Sequence, residues 1–160
     1  MIRFGAVIVH GMEDIRRTLR HASVAQTGAG LLSAPGALAS GGCGWWLAMM
    51  QAAGKEFPDI PFQSLADCGN APGLAAALLR ATWPVDETVT WQSGTWQSGE
   101  SQPLMLILSP SPASTAIGFM AESARIPVIS TPPPAFHLPL KGGRNDTTLE
   151  TLLTWLKTPA

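Results

Sequence analysis

Ala66-Asp67-Cys68-Gly69-Asn70-Ala71-Pro72-Gly73 is the stretch that decides the fold. An apolar run from Phe62 to Ala66 ends in an acid and a thiol, turns on a glycine and enters an alanine- and leucine-rich segment. That is the form of a strand-to-helix connection in an α/β protein, where functional groups gather at the carboxyl ends of a parallel sheet. Pro72 falls in the first helical turn, where its missing N–H is not needed. Two earlier stretches share the design: Phe4 to Val9 runs into His10-Gly11, and Gly30-Leu31-Leu32 runs into Ser33-Ala34-Pro35-Gly36. If the three strands are parallel neighbours, His10, Ser33, Asp67 and Cys68 share one rim.

The rest of the chain keeps this alternation. A helix is expected over 12–24, with Glu13 and Asp14 at its start, Arg16, Arg17, Arg20 and His21 following, and Ile15, Leu19 and Ala22 on the buried face. A strand near 29–33 leads through a small-residue connection, Ser33 to Gly44, to a helix with Trp46, Met49, Met50, Ala53 and Phe57 at core spacing. Phe57-Pro58-Asp59-Ile60-Pro61 stops it. A strand at 62–67 and a helix at 72–82 follow, with Leu74, Leu78 and Ala81 as the inner stripe. Glu87 to Trp91 reads as a strand, and Thr90-Trp91-Gln92-Ser93-Gly94 recurs as Thr95-Trp96-Gln97-Ser98-Gly99, too few copies for a repeat architecture. A buried strand at 104–108, a helix at 114–124 and a short strand at 127–130 come next. Thr131-Pro132-Pro133-Pro134 and the segment through His137, Lys141 and Arg144 read as stiff chain and loop. A last helix starts at Asp146 or Thr147, with Glu150 placed for a capping box and Leu149, Leu152, Leu153 and Leu156 on its apolar face.

This order predicts one α/β domain over residues 1–160: a three-layer α/β/α sandwich around a mostly parallel sheet of five or six strands. The arrangement resembles flavodoxin-like and Rossmann-like sandwiches, a likeness of fold that carries no function.

Composition narrows the function classes. Ten basic and eleven acidic residues leave a formal net charge of −1, so no basic field exists to neutralise a nucleic-acid backbone. No run approaches the ~20 apolar residues that span a bilayer, and no signal-peptide pattern opens the sequence, so a cytoplasmic protein without membrane partners is expected. Cys43 and Cys68 form neither a CxxC nor a zinc spacing and read as free thiols. Six tryptophans in a chain without tyrosine suggest a homo-oligomer with tryptophans at its interface, or a tryptophan-lined pocket.

The candidate catalytic residues are Asp67, Cys68 and His10. Asp67 ends a buried strand, where a carboxylate is costly unless something uses or satisfies it; the alternative to a functional role is a bond to the N–H groups of its own turn. Cys68 precedes a helix start, which favours a thiolate, but the neighbouring Asp67 opposes one, and a buried inert thiol is the competing reading. Ser33, Gly36 and Asn70 are the candidate ligand-holding residues. Gly36 and Gly41 have the spacing of a phosphate loop, yet Gly42 and Cys43 stand where Lys and Ser or Thr are required; Gly28-Ala29-Gly30 precedes a strand and has Ser33 at its third glycine position. No cofactor and no metal is therefore expected, and a small anionic ligand at the glycine-rich helix start is. The expectation is a small-molecule site at the strand ends, with a non-catalytic homo-oligomeric interaction module as the alternative.

Overall fold

A computed structural model describes residues 4–82, 104–139 and 146–157. The elements are β1 (Ala6–Val9), α1 (Met12–Val24), β2 (Ala29–Ser33), α2 (Ala37–Glu56), β3 (Phe62–Asp67), α3 (Pro72–Thr82), β4 (Leu104–Ile107), α4 (Ser114–Ser123), β5 (Val128–Ile129), β6 (Ala135–His137) and α5 (Asp146–Leu156). All strand pairs are parallel, and the six strands lie in the order β5-β4-β3-β2-β1-β6. A six-stranded, wholly parallel sheet with five helices is in keeping with the single three-layer α/β/α domain expected. The order itself matches neither doubly wound arrangement. From β1 to β5 each strand is laid beside the last in one direction; the chain then crosses to the far edge, where β6 joins β1.

Parallel strands are buried on both faces, which is why they read as near-continuous apolar runs. Alternation splits them into two clusters. Val7, Val9, Leu31, Ala66, Leu104 and Leu106 pack with Ile15, Leu19 and Ala22 of α1, Trp46 and Ala53 of α2, Leu78 of α3, Ile117 of α4, and Leu152 and Leu156 of α5. The opposite face carries Ala6, Ile8, Leu32, Leu65, Met105 and Ile107 with Ala34, and Ala37 of α2 packs against it. Trp46 is fully buried, and its indole N–H donates to Ser64 Oγ at 3.0 Å, so this large side chain enters the core without an orphaned donor. Outside the core, Arg16 Nε donates to both oxygens of Glu56, at 3.0 and 2.8 Å, and ties α1 to the end of α2.

Three local readings change. The connection after Ser33 is largely helical: α2 starts at Ala37 and is broken inside by Gly42, whose φ of 80° and ψ of 161° a glycine adopts cheaply. On α3 the buried residues are Ala75, Ala76, Leu78 and Leu79, while Ala81 is exposed, because the helix turns a broader face inward than a single stripe. Ala135-Phe136-His137, read as loop beside three prolines, is an edge strand, the place in a sheet where neighbouring proline does least harm. The strand expected at 87–91 and the Trp-Gln-Ser-Gly duplication lie outside the described residues. No helix among the described residues is long and apolar enough to cross a membrane.

Candidate functional site

The three strand ends do meet. Ser33 closes β2 fully buried, and its Oγ accepts a 2.9 Å hydrogen bond from the Asp67 backbone N–H at the end of β3. Asp67 Oδ1 in turn accepts the Gly69 N–H at 2.9 Å, the turn-closing bond that was the alternative to a functional role for this carboxylate. Gly69 takes φ 53°, and its carbonyl accepts the Ser109 N–H at 2.7 Å, so the connection after β4 is fastened to the same turn. Asp67 is thus held at its own N–H and at Oδ1. Oδ2 has no hydrogen-bond partner among the described residues, and the side chain is half-buried.

Register places the remaining groups. Ile8 pairs with Leu32, and Leu32 with Leu65, on one face of the sheet. Two residues further on stand His10 and Ala34, just beyond the ends of β1 and β2, and Asp67, which pairs onward with Ile107. The ends of β1 and β3 are thus two strand spacings apart, about 10 Å between backbones, with the buried Ala34 after β2 between them. His10 is exposed; its N–H donates to Asp14 Oδ2 at 2.9 Å, and its Nδ1 lies 3.2 Å from the same oxygen. Asp14, which the sequence presented as a helix-dipole residue, is the acid that engages this histidine; the i, i+4 spacing is the signal that could have found it. His137 pairs with Ile8, one step back from the rim.

The surroundings of Cys68 favour the neutral thiol. Cys68 is buried, its thiol donates to the Ala66 carbonyl at 3.8 Å, and burial, with further contributions from Cys43 and Asp67, pushes its pKa up to about 12. Cys43 is also raised by burial, and its thiol points to the Leu74 carbonyl at 3.5 Å. Both thiols are free and belong to packing between α2, α3 and the sheet.

Gly36 caps α2 in the left-handed conformation, φ 74°, and Asn70 is exposed in the β3–α3 turn; both border the Ser33–Asp67 pair in sequence. A Cβ built on Gly36, Gly42, Gly44 or Gly69 would meet nothing within 4 Å, so the backbone along these connections is open to an approaching molecule. The buried Oγ of Ser111, in the connection after β4, has no hydrogen-bond partner among the described residues. Among the described residues no three His, Cys, Asp or Glu side chains are grouped to hold a metal. The three tryptophans among the described residues have partners within the chain: Trp45 stands 6.4 Å from Trp46, and the Trp155 indole N–H donates to the Ala6 carbonyl at 2.8 Å. Comparison with protein families, curated proteins and solved structures finds no match.

Proposed function

We propose that this protein binds a small hydroxylated molecule, anionic ones included, at the carboxyl edge of its sheet, between the connections that follow β2 and β3. One observation carries the reading: Asp67 is fixed through its N–H to Ser33 Oγ and through Oδ1 to the Gly69 N–H, while Oδ2 has no partner among the described residues. A carboxylate oriented in this way accepts a hydrogen bond without the entropic cost of ordering it first. The open backbone at Gly36, Gly42 and Gly44 supplies the complementary part, N–H groups near a helix start that suit a carboxylate or phosphate group of the same ligand. The fold supports this location, because ligands of open α/β sheets bind outside the carboxyl ends of the strands.

The test is a thermal-shift screen of the whole chain against hydroxy acids, sugars, phosphorylated sugars, nucleotides and amines, with wild type and Asp67→Ala side by side. A compound that binds the folded state raises Tm by mass action, by about 2.7 kcal/mol of stabilisation at a hundredfold excess over Kd. A shift present in wild type and lost in Asp67→Ala supports the site. A shift of equal size in both proteins places the ligand elsewhere and removes the reading.

A further inference from the structure

The same rim carries a second group whose chemistry is set by its partner. His10 closes β1 and Asp14 stands in the first turn of α1, and a single oxygen, Asp14 Oδ2, receives both the His10 backbone N–H at 2.9 Å and the ring Nδ1 at 3.2 Å. An ionised carboxylate only accepts hydrogen bonds, so the ring nitrogen facing it must be the one that carries hydrogen. The hydrogen bond at one ring nitrogen determines the state of the other. Nε2 is then a bare lone pair on an exposed side chain, and no described residue bonds to it.

We propose that Asp14 holds His10 as the Nδ1–H tautomer, which makes Nε2 the proton-accepting group of the rim, able to take hydrogen from a hydroxyl or amine of a ligand bound at Asp67. This rests on the ligand site proposed above and adds chemistry to it. The ends of β1 and β3 lie two strand spacings apart, about 10 Å, a distance that a small molecule bridges. Both groups bounding the gap are acceptors, Nε2 on one side and Asp67 Oδ2 on the other, so its occupant donates in both directions. When Nε2 takes a proton, the positive charge formed on the ring lies beside Asp14, which stabilises it, as an orienting acid does for a catalytic histidine. The proton goes to Nε2 and the electron pair of the O–H or N–H bond stays on the ligand.

Imidazole nitrogen NMR on the 15N-labelled full-length chain above pH 8 reads the tautomer directly. In wild type, His10 is expected as Nδ1–H with a bare Nε2, while the exposed His137, for which no hydrogen bond is described, shows the Nε2–H form that unpaired imidazole favours. In Asp14→Ala, His10 moves to the pattern of His137. An Nε2–H wild-type His10, or a tautomer unchanged in Asp14→Ala, overturns the proposal; the wild-type spectrum alone decides if the variant fails to fold. A hydroxylated or amine hit from the thermal-shift screen that is lost in both His10→Ala and Asp67→Ala joins the two groups in one site. A hit lost in Asp67→Ala and fully retained in His10→Ala removes His10 from it. The tautomer needs no ligand, so its failure and the failure of the ligand site are separately visible.

Discussion

The two edges of the sheet use glycine in opposite ways. At the amino edge the glycines are packed shut: a Cβ on Gly28 would stand 2.6 Å from both the Phe4 ring and the Pro61 carbonyl oxygen, and one on Gly5 would stand 2.6 Å from the Trp155 carbonyl oxygen. There the missing side chain lets neighbouring backbone and aromatic rings close over the ends of the strands. At the carboxyl edge the same test on Gly11, Gly36 and Gly69 meets nothing within 4 Å. Hydrogen-bonding groups concentrate at that open edge, with Ser33, Asp67, His10 and Asp14 linked in two short networks. The difference separates a tightly packed edge from one where the described residues leave the backbone uncovered.

The sharpest way to break this contrast is to add a methyl group at each edge. Gly28→Ala is expected to lose about 1–3 kcal/mol or more in urea unfolding, because backbone as well as a ring must give way. Gly11→Ala, where the backbone is extended and space is open, is expected within about 0.5 kcal/mol of wild type. Equal losses would show that the edges do not differ. Ser33→Ala tests the support of the open edge: it leaves the Asp67 N–H without its acceptor, at a cost of about 1–3 kcal/mol in the same assay. No loss there would mean that Asp67 is held without Ser33.

Cys68 lies just behind the rim and sharpens the boundary between core and site. Its thiol titrates near 9.0 in the unfolded chain and near 12 when folded. Below pH 9 neither form is ionised and the thiol's contribution to stability is whole; as pH rises towards 12 the unfolded chain releases a proton that the folded chain keeps, and the contribution is lost. The stability difference between wild type and Cys68→Ala should therefore shrink as pH rises from about 9 to 12, and a difference flat across that range would contradict the burial argument. The smallest effect belongs to Gly73→Ala in the exposed first turn of α3, where open space and a helical backbone predict a gain of about 0.4–1 kcal/mol.

Much of the fold was legible because local and tertiary demands coincide. β2, β3, α1 and α3 fall where apolar runs, glycine turns and Pro72 put them. β6 was not legible: three residues after three prolines carry no strand signal of their own, and pairing with β1 alone makes them a strand. The opening of α2 was hidden by Gly41, Gly42 and Gly44 just after its first turn, which weaken helix propensity while Gly42 supplies the break. Of the site, the Ser33–Asp67 pairing follows from strands that end together. The Asp14–His10 pairing spans a strand end and a helix start, and depends on how the chain enters α1. Strand order has no local signal, since each crossover is the same βα unit whichever way it turns.

The central claim, that the open carboxyl edge is a ligand site anchored on Asp67, is tested most directly by amide NMR of the labelled chain titrated with the strongest thermal-shift compound. Shifts are expected at Ser33, Gly36, Asp67, Gly69 and Ser109 and at the neighbouring His10, with none at Gly5 or Gly28. Shifts centred on the amino edge or on the outer faces of the helices would contradict it.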